Sequence, residues 1–224
     1  MREPINVSGM VLSASPVGEY DKRVVILTRE LGKITAFARG ARRMKSPLMA
    51  VSNPFVFGEF QVYEGRDSYT LSGANIKEYF LDLAQMQPGV YYGFYFLELA
   101  EYFGQEGNDE TQMLNLLYVT MNAIRSGKQD LRLIRCIFEL RTITISGEAP
   151  QMFSCMECGT KENLTVFSLR DSAIYCPNCG KTIRDPWPLQ PGTVLACRYI
   201  IAAPLAKLYG FTVNEEILDE LERL

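Results

Sequence analysis

Four cysteines form two pairs with the spacing of a metal site. Cys155 and Cys158 make one C-x2-C pair, Cys176 and Cys179 make the other, and 17 residues separate the pairs. This spacing lies within the range of structural zinc sites. Because four thiolates complete a tetrahedral coordination sphere, no position is left for a reactive water molecule. The pattern therefore predicts one structural Zn²⁺ held by all four cysteines.

Disulfides and an iron–sulfur cluster are the alternatives to zinc for these cysteines. The first residues contain no sustained apolar run of the kind that a secretion signal needs, so we expect the protein in the cytoplasm. Thiols stay reduced there, which disfavours disulfides. An iron–sulfur cluster with the same four ligands stays open, because thiolates suit both kinds of centre. We expect the other two cysteines, Cys136 and Cys197, to be free thiols in the core.

Positive charge is concentrated in one early segment. Residues 20–45 contain eight basic and two acidic residues, whereas the rest of the chain contains 15 basic and 24 acidic ones. Clustered basic residues neutralise nucleic-acid phosphates with little reading of base sequence, although a solvated charged loop is the alternative. As a group, the predicted nucleic-acid contacts are Lys22, Arg23, Arg29, Lys33, Arg39, Arg42, Arg43 and Lys45.

Several kinds of active site are disfavoured by the composition. The chain has no histidine, which removes Ser-His-Asp and Cys-His nucleophilic sites. Gly180-Lys181-Thr182 lacks the leading glycine of a phosphate-binding loop, so we expect no nucleotide cofactor. A nuclease with paired carboxylates would need metal spacing that Glu59, Glu64 and Asp67 do not have. We therefore predict that the protein is not an enzyme.

We also expect no membrane span, because no apolar stretch of the sequence approaches the roughly 18 residues that one needs.

The elements that must position these residues change character along the chain. Period-two patterns predict five strands at 9–14, 23–28, 33–38, 55–63 and 69–74. The long connection after the third strand carries most of the basic cluster. Five strands with this connection suit the OB-fold, a small barrel that binds oligonucleotides, although other small barrels have similar sequence patterns.

Helical periodicity follows the strands. It predicts helices over 91–103, 110–126, 130–145, 192–209 and 214–224, with Asp130 and Asn214 as N-caps. The first of these helices is apolar nearly all round and is expected inside a bundle. The predicted fold class is α+β, with an OB barrel at 1–76, an α-helical domain at 77–149 and 188–224, and an inserted zinc ribbon at 150–187.

Several runs together resemble the RecO family over residues 8 to 215. The amino-terminal runs are Gly18-Glu19-Tyr20-Asp21-Lys22, Leu27-Thr28-Arg29-Glu30-Leu31-Gly32-Lys33-Ile34 and Ala38-Arg39-Gly40-Ala41-Arg42-Arg43. The later ones are Leu133-Ile134-Arg135-Cys136-Ile137-Phe138-Glu139-Leu140-Arg141 and Cys155-x-x-Cys158-Gly159.

The resemblance implies a mediator of recombinational DNA repair. Such a protein binds single- and double-stranded DNA, anneals complementary strands, and works with RecR and single-strand-binding protein (SSB) to load recombinase. The acidic, hydrophobic C-terminal tail of SSB is expected at the helical domain near Arg132, Arg135 or Arg141, since arginines beside an apolar face pair with carboxylates. The alternative is a zinc-ribbon accessory factor of transcription or translation, which a competition between single-stranded DNA and structured RNA would separate.

Overall fold

The computed structural model describes residues 3–224, which form two compact units. One unit ends at Ser126, and the other is Gly127–Leu224. Among residues 3–224, no helix combines the length and apolar character that crossing a membrane requires. The sequence predicted three domains, with boundaries after residues 76, 149 and 187. That division stays a prediction, and the two compact units do not test it.

The first unit contains a closed five-stranded barrel. Its strands are β1 (Ile5–Val17), β2 (Asp21–Thr28), β3 (Gly32–Ala38), β4 (Phe57–Glu64) and β5 (Tyr69–Glu78). Their order is β1-β2-β3-β5-β4, and β4 pairs with β1 to close the barrel. Only the β3–β5 pair is parallel. The predicted barrel and its five strands are confirmed, with β1 and β5 longer than their sequence patterns indicate.

Alternating side chains fill this barrel. In β3 every second residue is buried, as the period-two pattern predicts. Val11, Ile26, Ile34 and Phe60 lie in the resulting core. β1 pairs with β4 through its first half and with β2 through its second half, and a register shift between Val11 and Ser13 accompanies the change of partner.

Three helices belong to the same unit: α1 (Leu48–Val51), α2 (Gly89–Phe103) and α3 (Thr111–Ser126). α2 packs against α3 and β1. Its buried side includes Phe96 and Leu97, but Tyr91 and Tyr102 are 63% and 80% exposed on the opposite side. The expectation that this helix lies inside a bundle is therefore wrong, because one side of its aromatic surface contacts solvent.

The second unit is built from α4 (Leu131–Ile145), α5 (Pro191–Ala202) and α6 (Glu215–Leu221). α4 packs against both other helices. Asp130 and Asn214 cap their helices as predicted, accepting hydrogen bonds from the backbone N–H groups of Arg132 and Ile217. The predicted helix at 192–209 ends earlier, at Ala202, because Pro204 cannot continue it.

A small sheet interrupts the helices of the second unit. Its strands are β6 (Val166–Ser168), β7 (Ala173–Tyr175) and β8 (Pro186–Pro188), in the order β7-β6-β8. The two C-x2-C pairs flank β6 and β7 along the chain. The predicted insertion of a cysteine-bearing β element between helices is confirmed.

Candidate metal centre and nucleic-acid interface

The four cysteines of the two pairs lie together in space. The sulfur atoms of Cys155, Cys158, Cys176 and Cys179 are all within 4.8 Å of one another. The Sγ atoms of Cys158 and Cys176 are 3.9 Å apart. A tetrahedral zinc ion with Zn–S distances near 2.3 Å places its sulfurs about 3.8 Å apart, whereas a disulfide needs about 2.05 Å. The cluster therefore has the dimensions of a site for one metal ion.

Both cysteine pairs are held by tight backbone turns. The N–H of Gly159 donates to the carbonyl oxygen of Cys155, and the N–H of Gly180 donates to that of Cys176, both at 2.9 Å. Gly159 has φ +72°, a conformation that glycine adopts without strain. At Gly180 an added Cβ would lie 2.9 Å from the side chain of Val166, on β6. The two glycines thus permit the turns that bring the sulfurs together.

Backbone donors favour the thiolate form at part of this cluster. Burial raises the pKa of Cys155, but backbone hydrogen bonds from Cys158, Cys176 and Glu157 outweigh burial and lower its pKa to about 6. A backbone hydrogen bond from Cys179 lowers the pKa of Cys176. The side-chain hydrogen bond to Cys176 raises the pKa of Cys179 to about 12. Since metal ligands must be thiolates, the donors around Cys155 and Cys176 suit a metal centre.

Two loops of the barrel form one basic surface. The carboxylate of Asp21, at the start of β2, accepts a hydrogen bond from the N–H of Gly40 at 2.7 Å. Arg42 donates from its backbone N–H to the carbonyl oxygen of Tyr20 and from Nη1 to that of Gly18, at 2.8 and 3.2 Å. The guanidinium of Arg43 lies 4.9 Å from the centre of the Tyr20 ring. These contacts join the β1–β2 loop to the loop that follows β3.

Six of the eight predicted contacts lie around these joined loops. Arg39, Arg42, Arg43 and Lys45 are exposed. Arg23 and Lys22 lie at the adjoining end of β2, where Lys22 donates to the side-chain oxygen of Asn53 at 2.7 Å. Burial, with a smaller contribution from Arg42, lowers the pKa of Lys22. The structure therefore brings these six predicted DNA contacts to one region of the barrel surface.

Arg29 and Lys33 lie elsewhere on the barrel. They flank the β2–β3 turn, at the opposite end of the hairpin from Lys22. Seven residues of strand separate the two ends by about 23 Å. The ammonium of Lys33 donates to the carbonyl oxygen of Glu101 at 2.6 Å. Arg29 and Lys33 therefore lie outside the basic surface of the joined loops.

Sequence reasoning missed Tyr20 as part of the basic surface. Tyr20 is 43% exposed and lies under Arg43. By contrast, the aromatic side chains of Phe55 and Phe60 are buried. The available signal for Tyr20 was its place in a Gly-containing turn beside the basic segment.

The three arginines predicted to meet a partner tail have partners within the second unit. Arg132 contacts the carboxylates of Glu215, Asp219 and Glu222 at 2.5 to 2.6 Å. Arg135 contacts Glu222 at 2.9 Å. The acidic residues lie at 215, 219 and 222, a helical spacing that sequence reasoning could have used.

Arg141 has a different environment. Its Nη1 donates to the carbonyl oxygens of Ile200, at 3.0 Å, and of Ile201. These oxygens belong to the last turn of α5, where a positive charge meets the negative end of the helix dipole. Burial lowers the pKa of Arg141. This residue therefore joins α4 to the end of α5.

Known proteins match this sequence along nearly its whole length. The family models described as "Recombination protein O N terminal" and "Recombination protein O C terminal" match residues 1–80 and 89–224. A DNA repair protein RecO from Alkaliphilus metalliredigens is 32% identical over 98% of this chain and 90% of its own length. The corresponding proteins of Bacillus pumilus and Acetivibrio thermocellus are 30% and 28% identical over 98% of this chain, covering 86% and 88% of their lengths. The chain therefore belongs to the Recombination protein O (RecO) family of DNA repair proteins.

Proposed function

We propose that this protein is a non-enzymatic mediator of recombinational repair in the bacterial cytoplasm. It binds single- and double-stranded DNA, anneals complementary strands, and assists recombinase loading with RecR and SSB. The observation that carries the proposal is the exposed basic surface on the joined loops of a five-stranded barrel, formed by Tyr20, Arg42 and Arg43 and their neighbours. Family membership supports the role in repair.

The basic surface supplies the physical basis for annealing. Two DNA strands repel each other through their phosphates, and a protein that neutralises part of this charge lowers the barrier to pairing. Arg39, Arg42, Arg43 and Lys45 are exposed, so phosphates can approach their side chains from solvent. Contacts to phosphates carry no base information, which suits a protein that must act on any sequence. No nucleotide hydrolysis is needed for this step.

We propose in addition that Cys155, Cys158, Cys176 and Cys179 hold one structural Zn²⁺. The dimensions of the cluster and its backbone donors support this assignment. When bound, the ion supplies cross-linking between the two C-x2-C turns and no catalytic chemistry. The residues on either side then remain in place as a rigid element between α4 and α5.

The test of the proposed function is strand annealing on complementary oligonucleotides coated with SSB. We expect the protein to accelerate annealing without ATP. Replacing Arg39, Arg42, Arg43 and Lys45 with Ala should remove most of the acceleration. A matched control replaces four exposed basic residues that are not part of the joined loops, Arg66, Lys161, Arg170 and Arg223, so that both variants lose the same charge. Equal activity of the two variants, or annealing that requires ATP, would contradict the proposal.

We also propose that the acidic tail of SSB binds near Arg132, Arg135 or Arg141. In support, Arg132 and Arg135 already bind the carboxylates of an acidic, apolar segment of this chain, α6 and the residue Glu222 after it. A partner tail would compete with Glu222 for these guanidinium groups.

Peptide binding measured by fluorescence anisotropy tests the tail site. Charge reversal of all three arginines should abolish affinity for the tail peptide, whereas Glu222→Gln should increase it, because the change removes one carboxylate that competes for Arg132 and Arg135. Because Arg141 is half-buried, the circular dichroism of each variant serves as the folding control. If affinity survives the triple reversal in a folded protein, the tail binds elsewhere.

A further inference from the structure

A cavity of about 340 Å³ lies within the Gly127–Leu224 unit. Its walls come from α4, from the cysteine-bearing β element, and from α5 and α6 with the residues after it. Apolar side chains such as Leu140, Phe167 and Leu221 make up most of the surface. The volume is at the lower end of the range of ligand sites, about 300 to 1,000 Å³. The cavity can therefore hold a short aliphatic chain.

The charged side chains of this cavity have one sign. Among the described residues that line it, Glu139 and Glu148 are charged, and neither lysine nor arginine is present. Glu148 is exposed. Glu139 is half-buried and lies 3.7 Å from Nε of Arg135, whose Nη2 lies 2.9 Å from Glu222. Arg132 also binds Glu222, and neither of these arginines lines the cavity, so the charged groups at its wall are the carboxylates of Glu139 and Glu148.

Two thiols complete the wall without adding charge. Cys136 lines the cavity from α4, and Cys197 lines it from α5. Burial raises the pKa of Cys136 to about 11 and that of Cys197 to about 12. Both thiols are therefore neutral at pH 7. A ligand that enters at neutral pH meets apolar groups, two neutral thiols and the two glutamates.

We propose that this cavity binds an aliphatic cation, an ammonium or guanidinium group on a short alkyl chain. The alkyl chain lies against the apolar wall, and the cation lies at Glu139 and Glu148. The exposed carboxylate of Glu148 lets the cation keep part of its hydration, which reduces the desolvation penalty. An anion of the same shape is repelled by both carboxylates. This inference is independent of the proposed DNA-binding function.

The same chemistry has two sources, a free alkylamine or the lysine or arginine side chain of a protein partner. Three probes of equal chain length, n-hexylammonium, hexanol and hexanoate, are titrated into the full chain. Methyl resonances of Leu140, Ile143 and Met152, which line the cavity, report on binding. We expect hexylammonium to bind about fivefold more tightly than hexanol, the effect expected of two carboxylates near solvent. Hexanoate should bind most weakly.

The double variant Glu139→Gln/Glu148→Gln should lower hexylammonium affinity to that of hexanol and leave hexanol affinity unchanged. The control Glu98→Gln/Glu162→Gln removes two exposed carboxylates that do not line the cavity, and it should keep the preference. A short lysine peptide and its norleucine counterpart separate the sources, because a partner side chain should bind more tightly than the free amine. Equal shifts from hexanoate and hexylammonium, or a preference for the cation that survives the Glu139→Gln/Glu148→Gln change, would overturn the proposal.

Discussion

Arg132 donates from Nε and from Nη2 to one carboxylate oxygen of Glu222, at 3.0 and 2.6 Å. These bonds join α4 to the residue that follows α6. Hydrogen bonds from Arg132 are the main cause that lowers the pKa of Glu222, against an opposing effect of burial. A carboxyl with a lowered pKa stabilises the folded state above its unfolded pKa, about 4.3, and loses that effect as pH falls through its folded pKa.

We therefore expect the free energy of unfolding of the second unit to decrease as pH falls below about 4.3. Urea denaturation at pH 7 and at pH 3.5 or below measures it. Glu222→Gln should be less stable than the natural chain at pH 7, and the difference should shrink at low pH. The exposed Glu162→Gln variant is the control. A difference between Glu222→Gln and the natural chain that is independent of pH would contradict the role of this pair.

A second prediction concerns metal removal. Cys155→Ser should lower the metal content from one ion per chain to none and unfold the cysteine-bearing element before the barrel, because structural zinc supplies about 10 kcal/mol or more of folding free energy. Elemental analysis and hydrogen exchange at β6 and β7 measure both effects. Cys136→Ala, a change at a cysteine outside the cluster, should retain the ion. Iron absorbance in the purified protein would contradict zinc.

A third prediction concerns the salt dependence of DNA affinity. If the joined loops and their neighbours neutralise four or five phosphates, the affinity for single strands should fall with salt at a log-log slope near −3, from roughly 0.7 per phosphate. Alanine at Arg39, Arg42, Arg43 and Lys45 should flatten this slope. The melting temperature should change little, because exposed charges contribute little to stability. An unchanged slope would place the DNA site elsewhere.

A fourth prediction tests the β2–β3 turn. Gly32 has φ +69°, and an added Cβ would overlap the carbonyl oxygen of Gln105. Gly32→Ala should therefore destabilise the first unit by about 3 kcal/mol or more, from left-handed strain and overlap together. Gly18 has φ +56° with open space around it, so Gly18→Ala isolates the strain, about 1 kcal/mol. Equal losses of unfolding free energy would show that the overlap relaxes.

Short-range sequence patterns predicted which strands and helices form better than they predicted where those elements end. The five strands, the caps at Asp130 and Asn214 and the two cysteine pairs are features of neighbouring residues, and the structure contains all of them. The ends of β1 and β5 were underestimated, because pairing along a closed barrel extends strands beyond the local alternation. The helix that ends at Ala202 was overestimated, although Pro204 was a visible stop signal.

The sequence by itself determined the chemistry that this protein carries: four thiolates at metal-site spacing, a concentrated basic segment, and no histidine. Tertiary structure alone decided which of these groups meet. It separated Arg29 from the joined loops, stacked Arg43 on Tyr20, and brought Glu139 and Glu148 to one cavity. The physical reason is the distance along the chain over which each effect acts. Periodicity and spacing act over a few residues, whereas the partners of a side chain depend on how distant segments pack.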